Sequence, residues 1–193
     1  MKSEIEARYL ECDVEEIINR LKFHNAKFIG DWIQVRNCYD FTPKKENSWI
    51  RLRTNGKETT LTIKEIQDKS ISGTKESEIV VSDFDTTNEI LKKLGYSPRS
   101  IQENRRIQYI LDDVEIDIDF WPSIPTYVEF ESNSQEAIEN VCNKLDIDFN
   151  SLVTLDVSSI YNHYGLNINN IPYVKLEEER KNCNYNNENQ LCI

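Results

Sequence analysis

The chain has 193 residues, of which 34 are acidic and 23 basic, for a formal net charge of -11. That length supports one well-buried domain, and the acidic balance excludes long nucleic acid as a partner, because affinity there comes chiefly from neutralising phosphates. No run approaches the ~18 apolar residues of a membrane span, and Met1-Lys2-Ser3-Glu4 lacks a signal-peptide core, so the expectation is a soluble, cytoplasmic protein without a membrane partner.

The first element is Glu4-Ile5-Glu6-Ala7-Arg8, where strand alternation turns Glu4, Glu6 and Arg8 to one face and Ile5, Ala7 and Tyr9 to the other. Asp13 then opens a helix over 13–25 with Val14, Ile17, Ile18 and Leu21 at helical spacing and Glu16 three residues after the cap. Strands are predicted at 31–42 and 48–54, joined by the polar turn at 43–47, and Asn55-Gly56 marks a hairpin into 58–66. A polar loop at 68–74 leads to a strand near 75–82. Asp85 begins a second helix that carries Ile90, Leu91 and Leu94 and stops at Gly95. Strands return at 99–111, 114–120 and 126–132, with turns at Asp112-Asp113 and at Pro122/Pro125. Ser134 caps a third helix striped with Ala137, Ile138, Val141, Cys142 and Leu145, and a fourth spans about 156–164. Residues 1–170 read as one domain. The Glu-, Asn- and Lys-rich tail of 171–193 reads as loosely ordered, although the run 176–181 can extend a helix.

Charge is segregated by strand. Arg51-Leu52-Arg53 is basic only, whereas Glu115-Ile116-Asp117-Ile118-Asp119 and Glu129-Phe130-Glu131 are acidic only, and Lys64 follows Thr60 and Thr62 at the same parity. Any one of these strands also fits an ordinary solvated sheet face. Together they predict a charged cavity in which acids hold cations and bases hold an anion. About eight antiparallel strands, polar inward and apolar outward, need helices as hydrophobic cover. The expected fold is therefore α+β: a closed antiparallel eight-stranded β-barrel with a polar interior, wrapped by α-helices. The five cysteines have no C-x-x-C spacing and read as reduced thiols. His24 and His163 read as surface or packing residues, and Trp32, Trp49 and Trp121 as packing residues with nucleobase stacking as the alternative.

These motifs, in this order, resemble the CYTH superfamily of triphosphate tunnel metalloenzymes, over roughly residues 1–166. Glu4-Ile5-Glu6-Ala7-Arg8 resembles the family's E-x-E-x-K, Arg51-Leu52-Arg53 its R-x-R, and Lys64 its basic strand residue. Glu76-Ser77-Glu78 leading to Asp83 resembles the acidic strand, and Arg106-Ile107-Gln108-Tyr109 the R-x-x-Y. Asp119 followed by Glu129 and Glu131 resembles the closing element. The chain departs from the pattern at Arg8, where the family has Lys, and at Asn104, where relatives often carry a base. Arg105 is set by alternation to point away from the tunnel if Arg106 points in. An always-protonated guanidinium at position 8 can clamp phosphate but cannot serve as a general base.

The resemblance implies Arg8, Arg51, Arg53, Lys64 and Arg106 as phosphate binders. It implies Glu4, Glu6, Glu129 and Glu131 as ligands of Mg2+ or Mn2+, with Asp119 and Glu78 as further ligand or water-orienting residues. Glu4, Glu6, Arg8, Asp119, Glu129 and Glu131 form the implied catalytic set. The implied substrate is a small triphosphate, with a homodimer left open. The leading activity is a phosphohydrolase for tripolyphosphate or a nucleoside or thiamine triphosphate. The alternatives are a class IV adenylyl cyclase and a non-catalytic nucleotide or polyphosphate binder.

Overall fold

The computed structural model describes residues 2–177, and of residues 2–4 the backbone alone. It contains β1 (Lys2–Tyr9), α1 (Val14–Phe23), β2 (Lys27–Tyr39), β3 (Ser48–Thr54), β4 (Thr59–Ile66), β5 (Thr74–Val81), α2 (Phe84–Lys93), β6 (Ser100–Leu111), β7 (Val114–Phe120), β8 (Tyr127–Ser132), α3 (Gln135–Lys144), α4 (Val157–His163) and β9 (Tyr173–Val174). The class is α+β. One curled sheet runs β2-β3-β4-β5-β1-β8-β7-β6-β9, and β2 also pairs with β6. Every pairing is antiparallel except β6 with β9.

Each helix begins where a short polar side chain satisfies a free backbone N–H. Asp13 accepts from Glu16, Asp83 from Thr86, Ser134 from Ala137 and Asp156 from Ser159. The second helix thus starts one residue ahead of the expected Asp85, because Asp83 is the cap. It ends at Gly95, whose φ of +93° is a left-handed turn that costs glycine little.

The outer face of the sheet carries the core. Ile107, Tyr109, Ile116, Ile118, Val128 and Phe130 pack under Ile17, Ile18 and Leu21 of α1 and Ile138, Val141 and Leu145 of α3. All are almost fully buried, and each aliphatic or aromatic side chain so placed contributes about 1.5–3 kcal/mol through burial. Leu91 of α2 covers Tyr39, Ile50 and Leu52, while Ile160 and Tyr161 of α4 pack with Trp121, Ile124 and Tyr127. Apolar groups turn out toward helices, which leaves the alternate, charged residues facing in.

Other details also differ from the sequence reading. β2 starts at Lys27 rather than 31, and its register with β6 shifts between Phe28 and Gly30. Gly30 lies so close to the Trp32 ring that a Cβ there would sit 1.7 Å from it. Residues 171–177, read as part of the tail, lie against the sheet: Tyr173 and Val174 pair with Ile101 and Gln102, Val174 and Leu176 are buried, and the Leu176 N–H donates to Glu103 at 3.2 Å. The rest of the tail, 178–193, including most of the run 176–181 read as able to extend a helix, lies outside the described residues.

Candidate functional site

Strand alternation gathers the inward side chains around a cavity of about 280 Å3. Glu6, Arg8, Arg51, Arg53, Lys64, Glu78, Arg106, Asp119, Glu129 and Glu131 all line it. Glu4 lies in β1 opposite Thr74, and its side chain is outside the described residues. Arg36, Trp49, Glu76, Glu115 and Gln102 line the cavity as well, together with Asp156 and Ser158 at the start of α4.

One side of the cavity is a linked acid and guanidinium network. Arg106 donates through Nε and Nη2 to the two oxygens of Asp119 at 2.8 and 2.6 Å, through Nη1 to Asp117, and through Nη2 to Glu129 at 3.3 Å. Arg8 Nη2 lies 3.0 Å from Glu6 and 2.5 Å from Glu129, while its Nη1 donates to the Leu155 carbonyl at 2.7 Å. These groups are buried, which favours their neutral forms, but opposite charges within 3 Å outweigh burial at several of them. The Glu129 pKa falls well below the ordinary carboxylate range: burial opposes this, and Arg8, Arg106 and Lys64 override it. Burial, joined by repulsion from Glu115, Asp119 and Glu129, lifts Asp117 well above that range against the pull of Arg106.

The other side is crowded with positive charge. Arg51 Nη2 lies 3.3 Å from Glu78 and 3.8 Å from Glu76, Arg53 lies 3.9 Å from Glu78, and Lys64 pairs with Glu76. Thr62 Oγ1 donates to Glu78 at 2.6 Å. Among the described residues, two carboxylates, Glu76 and Glu78, thus face three cations. The Arg53 pKa is pushed down to about 9 by Arg51, by burial, and by Arg106 and Arg36. Guanidinium stays protonated at neutral pH, so this depression measures like-charge repulsion that a bound anion would relieve.

Asn104, one of the two departures from the family pattern, stands two residues before Arg106, with Arg105 between them. Asn104 is fully buried; its amide donates to Asp119 at 2.9 Å and its carbonyl accepts from Arg36. Arg105 points away from the cavity, as alternation requires, and forks onto Asp31 at 2.8 and 2.6 Å. Sequence reasoning gave no individual role to Arg36, Glu76, Asp117 or Glu115. Their shared parity with Cys38, Glu78 and Asp119 was the signal that placed them inside. Neither His24 nor His163 lines the cavity, and Trp121 packs against Tyr161. Cys12, Cys38 and Cys142 are free thiols.

Of the six carboxylates assigned to metal, the five whose side chains are described do not gather at one point. Glu78 belongs with Arg51, Arg53 and Thr62, and Asp119 and Glu129 are engaged by arginines. Among the described residues no three Asp, Glu, His or Cys side chains converge as a metal would require. Glu6 does stand directly opposite Glu131 across β1 and β8, and Glu131 opposite Glu115 across β8 and β7. Like charges directly opposite one another are unfavourable, and Arg8, 3.0 Å from Glu6, offsets part of that repulsion. Carboxylate oxygens are also the ligands that Mg2+ and Mn2+ take, so the donor chemistry of this row fits a divalent ion.

A family model described as the CYTH domain matches residues 3–155. Among solved structures, a conserved hypothetical protein from Pyrococcus furiosus superposes with a TM-score of 0.68 at 23% identity, covering 80% of this chain and 98% of its own. A Vibrio parahaemolyticus protein named as a candidate adenylate cyclase gives 0.68 at 12% identity over 83% and 98%. A Hippeastrum protein named for an adenylyl cyclase, with a dominant triphosphatase activity, gives 0.57 at 14% over 86% and 97%. At these identities the likeness is one of fold. No curated protein matches the chain. No helix among the described residues is long and apolar enough to cross a membrane.

Proposed function

The chain belongs to the CYTH family, and on that premise we propose that it is a divalent-metal-dependent phosphohydrolase acting on a triphosphate held inside a closed, strand-lined tunnel. Closure is supported by β2, which pairs with β6 from Lys27 to Cys38 as well as with β3. The observation that carries the reading is the excess of guanidinium charge at Arg36, Arg51 and Arg53 beside Lys64, inside one cavity with an acidic row at Glu6, Glu131 and Glu115.

A triphosphate carries about four negative charges, and its hydrolysis needs charge neutralised at the oxygens around the attacked phosphorus. Arg51, Arg53 and Lys64 bind those oxygens, and planar guanidinium forks orient them two at a time. Arg8 and Arg106 are fixed before substrate arrives, because Glu6, Glu129, Asp117 and Asp119 hold them in place. Such preorganisation avoids reordering the side chains during reaction. Arg8 cannot accept a proton, so acceptance from an attacking water falls to the carboxylates of the acidic row. Glu6 and Glu131, with Glu4 as the resemblance implies, would hold Mg2+ or Mn2+, which takes one or two carboxylates beside phosphate oxygens and water, and which when bound would supply charge to phosphate oxygens and acidify water.

The test is to incubate purified protein with tripolyphosphate, ATP or thiamine triphosphate and each metal, and to identify products by phosphorus NMR. Metal-dependent orthophosphate release is expected. Cyclic nucleotide with pyrophosphate would assign the adenylyl cyclase instead, and binding without turnover would assign the polyphosphate binder.

A further inference from the structure

Arg36 stands apart from the other buried guanidinium groups of the cavity. It is 6% exposed and lines the cavity, yet among the described residues no carboxylate lies within ion-pair distance of it. Its Nη2 donates to two neutral acceptors, the side-chain carbonyls of Gln34 at 2.7 Å and of Asn104. The guanidinium plane lies over the Trp121 ring, 4.6 Å from its centroid. Its Nε is buried with no hydrogen-bond partner.

Gln34, Asn104 and Trp121 fix the position of this charge without cancelling it. A buried cation is costly unless paired, and here burial is joined by repulsion from Arg51 and Arg106, which together push the Arg36 pKa down to about 10. A guanidinium held rigid at the cavity wall, with one donor unpaired and two further arginines beside it, is a position that an anion in the cavity would stabilise.

We propose that Arg36 is a substrate-binding residue that takes a phosphate oxygen of the triphosphate, beside Arg51 and Arg53. This rests on the triphosphate reading above. It also accounts for Asn104, whose amide group bridges Asp119 and Arg36 and so positions a charge that reaches the cavity from β2 instead of β6.

The test uses inorganic tripolyphosphate as the probe and titration calorimetry on the full chain, with wild type, Arg36→Gln and Arg53→Ala side by side. The expected result is that Arg36→Gln weakens binding on the order of tenfold to a hundredfold, as for loss of one charge-assisted hydrogen bond. Its melting temperature without ligand is expected to be no lower than wild type, since a repelled buried charge has been removed. Affinity within about twofold of wild type while Arg53→Ala binds weakly would overturn the role of Arg36. So would an affinity loss that tracks a lowered melting temperature, which marks a structural arginine. Wild-type protein that binds no tripolyphosphate would instead remove the triphosphate reading itself, and Arg36 with it. A second measurement needs no variant for its readout. The Arg36 Nε–H resonance of wild-type protein, assigned with Arg36→Lys, is expected to move on adding tripolyphosphate, and a stationary resonance at saturation overturns the proposal.

Discussion

Glu129→Gln removes one charge from a carboxylate of the cavity that two arginines pair, while keeping its shape. In the wild type this carboxylate accepts from Arg8 at 2.5 Å and Arg106 at 3.3 Å and is 8% exposed. Removing one partner of a buried ion pair costs about 3–5 kcal/mol when the other is stranded. Here neither arginine is stranded, because Arg8 keeps Glu6 and Arg106 keeps Asp117 and Asp119. The expected loss is therefore nearer the value of one charged hydrogen bond, about 2–3 kcal/mol. For a domain of this size that lowers the melting temperature by roughly 4–12 °C. The pH dependence fixes the sign independently. A carboxylate whose folded pKa lies below its unfolded value contributes stability above the unfolded pKa and loses it as pH falls through the folded one. The gap between wild type and variant should thus be full at neutral pH and shrink as the solution is acidified below about pH 4. Thermal melts monitored by circular dichroism from pH 7 downward measure both quantities. A shift under about 1 °C at pH 7, or a gap that does not change with pH, would refute the paired state of Glu129.

Further outcomes follow from the same geometry. Arg53→Ala should weaken tripolyphosphate binding about tenfold or more in calorimetry while leaving the unliganded fold intact, and unchanged affinity would place β3 with its other face inward. Glu129→Gln combined with Glu131→Gln should abolish metal-dependent turnover in a protein that still shows the wild-type circular dichroism spectrum; retained turnover would remove both residues from the chemistry. Burial pushes Cys12 and Cys142 up to about 12, so both should stay unmodified by iodoacetamide at pH 8 in peptide-mapped mass spectra, and rapid alkylation of either would contradict their packing.

The strands were legible because a sheet with one charged and one greasy face writes period two into the sequence, and β3, β7 and β8 do so without interruption. With Arg106 placed inward by the resemblance, parity put Arg105 outward, as the fork between Arg105 and Asp31 bears out. Arg36 escaped notice because it is the lone charge on the inner face of β2, among Trp32, Gln34 and Cys38. Its importance comes from strands distant in sequence that bring Arg51 and Arg106 beside it. The first turn of β2 was missed because the register shift at Phe28 and Gly30 breaks the alternation there. Val174 and Leu176 escaped for a related reason: two apolar residues in a polar tail make no pattern, and only the open edge of β6 gives them a place. The division of labour among the carboxylates was also hidden. E-x-E spacing fixes a shared face, but which acid meets which base depends on cross-strand register.

The central claim is that a triphosphate lies among the inward arginines, and a crystal structure of the protein with tripolyphosphate tests it most directly. The phosphate oxygens should be found within hydrogen-bonding distance of Arg51, Arg53 and Lys64, inside the cavity that Arg36 and Arg106 also line. Tripolyphosphate bound on the outer surface, with the cavity's ion pairs undisturbed, would contradict it.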